Sequence, residues 1–231
     1  MAEQGMAYQS MAYYVDVILV IDCTGSMGPY IGEVKRQACR FPEQIQDQMK
    51  LKGKKIDQLR VKVIRFRDFS FDGDMAMRQS EFFTIPDQIA DFQAFVNDLT
   101  ADGGGDEPES GLEAVAAAIL ADWTEGGDKR RHVIAVLTDA SAHDLGRAAG
   151  QPNYPDWMPK DLNELTDWWQ GQDPKMDRST KRLLLFTPDG NGWSQLGSNW
   201  EYTTHAITKA GAGLSDQDYE VIMANIAESA A

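Results

Sequence analysis

The sequence predicts an α/β protein, a mostly parallel sheet covered by helices on both faces. Three observations carry this. Apolar, β-branched runs of strand length alternate with segments whose apolar residues recur every three or four positions. The strongest of these runs are continuously apolar instead of alternating, as in strands buried on both sides. The chain also has 231 residues, 42% hydrophobic and 25% charged, enough for one large domain with a buried core and short for two.

The elements follow in order. Residues 13–21 (YYVDVILVI) read as a core strand ending at Asp22 and a glycine-containing loop. Ile31, Val34, Ala38, Phe41, Ile45 and Met49 then form one face of a helix, in which Pro42 is expected to cause a kink or a break. Val61, Val63 and the neighbourhood of Phe66 give a second strand, and residues 81–85 a third. Pro86 opens a helix faced by Ile89, Phe92, Phe95, Val96 and Leu99. A Gly-rich acidic loop over 101–109 leads into an Ala-rich helix over 112–120. Residues 132–138 (HVIAVLT) form a buried strand ending on Asp139, and 182–186 repeat the pattern before Thr187-Pro188-Asp189. The stretch 145–181, with Pro152, Pro155, Pro159 and a helix carrying Leu162, Leu165 and Trp169, reads as an elaborated surface. Leu214 and Ser215 fit the staple and N-cap of a last helix faced by Tyr219, Ile222, Met223 and Ile226. The expected organisation is a tail over 1–12 and a single domain over 13–229.

The formal net charge is −14, from 36 acidic and 22 basic side chains, which argues against nucleic acid as a partner. Two cysteines, Cys23 and Cys39, make no disulfide framework and favour a reducing compartment. The opening MAEQGMAYQSMAYY lacks a basic region followed by a long apolar run, and no apolar stretch approaches the ~20 residues of a membrane helix. The expectation is a soluble, cytoplasmic protein with no membrane contact.

Ligands of such sheets bind beyond the carboxyl ends of the strands, and three acidic loops fall at that edge. Asp22-Cys23-Thr24-Gly25-Ser26 sets a carboxylate and two hydroxyls in five residues, the oxygen donors that Mg²⁺ prefers. The same residues are common helix caps. Asp102-Gly103-Gly104-Gly105-Asp106-Glu107-Pro108-Glu109 is the second loop; Asp106 with Glu109 also reads as a capping box. Leu137-Thr138-Asp139-Ala140-Ser141 ends an apolar strand on a carboxylate, which also reads as a turn aspartate. His143 reads as a solvated loop histidine near the rim, Cys23 as a small buried thiol, and Trp169 as core; Trp157, Trp168, Trp193 and Trp200 are open to either core or surface.

The conjunction of these loops resembles the von Willebrand factor A domain and its metal-ion-dependent adhesion site. Asp22, Thr24 and Ser26 match the family's D-x-T-x-S loop, Asp139 its later aspartate, and Gly103-Gly104 its Gly-Gly loop, with Asp106 standing where the family has threonine. Together with Phe66-Arg67-Asp68, the spelling is similar to the branch found beside alpha-kinases and in bacterial proteins. The resemblance covers residues 13–228. It implies a Rossmann-like, doubly wound sheet, no catalysis, and a protein partner gripped through Mg²⁺ (Mn²⁺ or Ca²⁺ as alternatives). The implied ligands are Asp22, Thr24, Ser26, Asp106 and Asp139.

The alternative is a haloacid dehalogenase-like phosphotransferase with Asp22 as nucleophile. Against it, Thr24 replaces the second aspartate of those enzymes, and Asp189-Gly190-Asn191-Gly192 lacks their second downstream carboxylate.

With Asp22, Asp106 and Asp139 around one divalent ion, the protein's formal −3 would exceed the cation's +2. A partner's carboxylate would then meet repulsion on the order of ~1–4 kcal/mol per pair. Asp106→Thr should therefore weaken Mg²⁺ binding and strengthen binding of an acidic peptide, both measured by calorimetry. A variant that changes neither and only lowers thermal stability would make Asp106 a helix cap.

Overall fold

The structure, a computed structural model, describes residues 11–105, 107–210 and 219–230. Asp106 and the expected cap residues Leu214 and Ser215 lie outside the described residues. The chain runs β1 (Tyr13–Asp22), α1 (Ile31–Leu51), β2 (Gln58–Phe66), β3 (Met77–Gln79), β4 (Phe83–Ile85), α2 (Ile89–Asn97) and α3 (Gly111–Ile119). It continues through β5 (Lys129–Leu137), α4 (Leu162–Gln170), β6 (Lys181–Pro188), α5 (Trp193–Asn199), β7 (Thr203–Thr208) and α6 (Tyr219–Ala230).

The seven strands among the described residues form one sheet in the order β3-β2-β1-β5-β6-β7, with β4 also paired to β2. The pairs β1–β2, β1–β5, β5–β6 and β6–β7 are parallel. The short β3 and β4 run antiparallel to β2 at one edge. The alternation of side chains along β1 divides the core. Val15, Val17, Leu19 and Ile21 join the apolar faces of α1, α2 and α6, whereas Ile18 and Val20 join those of α3, α4 and α5. Helices therefore cover both faces of a doubly wound, Rossmann-like sheet, as expected.

Of the two outcomes expected at Pro42, the break does not occur: α1 runs unbroken from Ile31 to Leu51. Proline inside a helix costs ~3 kcal/mol or more. Full burial of Phe41, Ile45 and Met49 on the inward face, at roughly 1.5–3 kcal/mol per side chain, outweighs that cost. α2 begins three residues after Pro86, with Gln88 at its N-cap position and the Gln88 side chain accepting from Thr84 N. Ser110 occupies the N-cap position of α3, so Pro108 and Glu109 precede the helix. The edge strand β7 and the short α5 were not anticipated.

β1 is the topological switch point: the chain leaves it toward β2 on one side, and β5, β6 and β7 build out on the other. Loops after β1 and β5 consequently part to opposite faces and leave a crevice at their carboxyl ends.

At the other end of β1, Asp16 is fully buried and its carboxylate is bidentate to Arg60, at 2.9 and 2.6 Å. Thr124 N also donates to it, at 2.7 Å. Breaking a buried pair from one side strands the partner's charge, so Arg60→Ala should cost about 3–5 kcal/mol in urea unfolding. A loss under about 1 kcal/mol would mean that Asp16 is satisfied without Arg60.

Candidate functional site

Asp22, the last residue of β1, has no solvent exposure. Its Oδ1 accepts from Thr24 N at 2.8 Å and from Thr24 Oγ1 at 2.6 Å, and its Oδ2 accepts from Thr138 Oγ1 at 2.5 Å. Ser26 Oγ, in the 3₁₀ turn that follows, donates across to Asp139 Oδ1 at 2.9 Å. The loops after β1 and β5 are thus joined through four of the five residues expected at the site. The hydroxyl oxygens of Thr24 and Ser26 also lie within hydrogen-bonding distance of each other, at 3.2 Å, where either can donate.

The Gly-rich loop is stitched onto this pair by its backbone. Gly25 N donates to Gly103 O at 3.1 Å, Asp102 N to Cys23 O at 3.0 Å, and Gly104 N to Asp72 Oδ2 at 2.9 Å. Arg67 holds the other side, donating to Cys23 O and Thr100 O at 3.1 Å each. Two glycines are required here. Both have positive φ, and a Cβ on Gly103 would fall 1.8 Å from Asp72 Oδ1, one on Gly104 2.5 Å from Glu109 Oε1. Glu109 is buried, and its backbone bridges to Ala142, so it serves the crevice and not a capping box. A cavity of about 250 Å³ opens here between Thr24, Ser26, the three glycines, Glu107, Glu109 and Asp139.

Burial raises the Asp22 carboxyl to about 6; hydrogen bonds from Thr138 and Thr24 oppose the rise, and the charge of Asp139 adds to it. Burial and the neighbouring Asp22 push the Cys23 thiol up to about 12, which removes it as a nucleophile. Among the described residues no three His, Cys, Asp or Glu side chains are grouped to hold a metal. A cation in this crevice would therefore rest on hydroxyl oxygens as much as on carboxylates. The donor set, oxygen throughout and lining a small cavity, fits a hard divalent ion.

A second polar layer lies below. His143 is buried, not solvated, with Nε2 3.1 Å from Asp68 Oδ2. Arg147 lies 3.1 Å from His143 Nδ1 and can only donate, so Nδ1 accepts and the Nε2 proton goes to Asp68. Burial pushes the Asp68 carboxyl up, but hydrogen bonds from His143 and Ser70 outweigh it and hold it below its ordinary value. Thr138, Glu109 and this layer were missed from the sequence. The one available signal was the hydroxyl of Thr138 immediately before Asp139. Of the tryptophans, Trp169, Trp193 and Trp200 are core, and Trp157 is 44% exposed.

A profile described as von Willebrand factor A domain matches residues 16–149, more than half of the chain. The chain belongs to that family. Over 148 residues this A domain is 28% identical to alpha-protein kinase vwkA of Dictyostelium discoideum, a match covering 64% of the chain but 22% of the kinase. Among solved structures, the pilus adhesin SpaC of Lactobacillus rhamnosus GG in its open conformation is similar at TM-score 0.51 and 15% identity. That match covers 94% of the A domain and 31% of the adhesin. Proximal thread matrix protein 1 of the mussel byssus is similar at TM-score 0.50 and 13% identity, over 94% of the A domain and 47% of that protein. At such identities the shared property is the fold.

Below α3's first turn, Glu113 is buried and accepts from Tyr154 at 3.2 Å. Burial raises its carboxyl to about 7; the bond from Tyr154 opposes this and the charge of Asp68 adds to it. Since the folded value lies above the ordinary 4.5, the stability Glu113 contributes is complete below that pH and lost as pH rises toward 7. Urea unfolding of wild type and Glu113→Gln should therefore diverge by about 3 kcal/mol in favour of the variant between pH 4.5 and 7.5. Parallel pH profiles would show that Glu113 titrates normally.

Proposed function

We propose that this A domain grips a protein partner through a divalent cation, Mg²⁺ or alternatively Mn²⁺ or Ca²⁺. Asp22, Thr24, Ser26, Asp106 and Asp139 surround it at the carboxyl edge of the sheet. Membership of the family supports a protein-interaction domain. The observation that carries the metal reading is the convergence of Thr24 Oγ1 and Ser26 Oγ, 3.2 Å apart, beside the carboxylates of Asp22 and Asp139. Adjacent oxygens around an octahedral ion at 2.0–2.1 Å lie about 3 Å apart. The bound cation would supply a Lewis-acidic position for an oxygen of the partner. In this reading Asp22 and Thr138 orient hydroxyls, and Arg67 and Asp72 hold the Gly-rich loop at the mouth.

The domain performs no chemistry of its own in this account. Asp22 is fully buried and already accepts three hydrogen bonds, so it is not available to attack a phosphorus atom. No helix among the described residues is long and apolar enough to cross a membrane. The cytoplasm, with its millimolar-range Mg²⁺ and reduced thiols, is the proposed compartment.

Calorimetry with Mg²⁺ and Mn²⁺ tests the site. Ser26 is exposed, so Ser26→Ala should fold normally yet lose at least about tenfold in affinity, and Asp22→Ala should lose binding. Partner capture with immobilised domain should require Mg²⁺ and stop with chelator. Undiminished affinity in Ser26→Ala, or no binding by wild type, would remove the metal from the account.

A further inference from the structure

A second cavity, wider than the one at the crevice, lies elsewhere in the molecule. It holds about 580 Å³ and lies at the amino ends of β1, β5 and β6, the opposite edge of the sheet. Parallel pairing fixes this place, since Tyr13 is level with Lys129 and His132 with Lys181. Five cationic residues line it: Lys54 and Lys55 from the turn after α1, and Lys129, Arg130 and Arg131 from the start of β5.

This concentration contradicts the rest of the chain, whose net charge is −14. Local acids offset it in part. Asp57 pairs with Lys55 at 2.8 Å and Asp177 with Arg130 at 3.3 Å, while the lining Asp128 accepts from Ala12 N at 2.8 Å. Among the described residues no carboxylate forms an ion pair with Lys129 or Arg131. Tyr13, which lines the cavity beside Arg131, donates its hydroxyl to Ala230 O at 2.6 Å. Arg131 Nε is buried with no hydrogen-bond partner among the described residues. A buried guanidinium donor without an acceptor costs roughly 1–3 kcal/mol or more.

We propose that this cavity binds a small polyphosphorylated anion, independently of the metal crevice. Arginine forks and lysine ammonium groups are the side chains that recognise phosphate oxygens. Five of them around one recess match several phosphate charges better than one. The volume is that of a small-molecule site, within the usual 300–1,000 Å³. A concave recess in an acidic body also favours a small anion over a nucleic-acid polymer or an anionic membrane, whose wider charge would meet the surrounding carboxylates.

Pyrophosphate and tripolyphosphate are suitable probes, with chelator present so that no cation takes part. Calorimetry on the full chain should give saturable, salt-sensitive binding, with inorganic phosphate weaker by at least about tenfold. Lys129→Glu/Arg131→Gln should abolish it. Because Arg131 is half-buried, the exposed pair Lys54→Glu/Lys55→Glu is the second variant, expected to fold as wild type and bind at least about tenfold more weakly. Asp22→Asn should bind as wild type does. Absence of binding at about 10 mM probe, equal binding by the Lys54/Lys55 variant, or loss in Asp22→Asn would each overturn the proposal.

Discussion

A carboxylate without access to water stands at the end of the central strand, and the carboxyl edge of the molecule is arranged around it. Asp22 remains there because Thr24 N, Thr24 Oγ1 and Thr138 Oγ1 all donate to it, replacing its water shell. Those bonds fix the first loop and the end of β5 relative to each other. Ser26 to Asp139 extends the link, and Gly103 and Gly104 bring the third loop close enough to close the crevice. Replacing the hydroxyls with apolar groups would expose Asp22 to the full cost of an unpaired buried charge.

The sheet order explains why this constraint sits where it does. β1 lies between β2 and β5, so its carboxyl end is where the connections diverge. The loops need no regular structure of their own, because strands pinned by parallel pairing over nine residues on each side of β1 hold their ends. The second layer, Asp68 with His143 and Arg147, braces the β2 loop against the β5 loop from beneath. Arg67 and Asp72 do the same for the glycines from the flank. At the opposite edge two chain segments rich in Lys and Arg come together. One sheet thus separates an acidic crevice from a basic cavity.

Legibility in the sequence followed burial. β1, β5 and β6 were readable because both of their faces are covered and the apolar run is unbroken. β7 was not: Thr203 and His205 are half-buried and Ile207 is exposed, so neither alternation nor a continuous run appears. α5 has seven residues, a glycine packed against His205 and no side-chain cap, too little for a periodic signal. Asp22, Thr24, Ser26 and Asp139 were legible because three lie within five residues and the fourth ends an apolar strand. Glu109 was read as a cap because it follows Asp106 at the capping interval, but α3 starts later, and Glu109 turns inward. His143 was assigned to solvent because its partner, Asp68, is 75 residues away, a distance that only the fold closes.

The central claim is that the three loops form one oxygen-lined cation site built on paired hydroxyls and carboxylates. Crystals soaked in Mn²⁺ and measured at the manganese absorption edge test it directly. The account predicts one anomalous peak in the crevice, within about 2.5 Å of both Thr24 Oγ1 and Ser26 Oγ. A peak elsewhere, or an empty crevice in crystals that hold manganese at other positions, would contradict it.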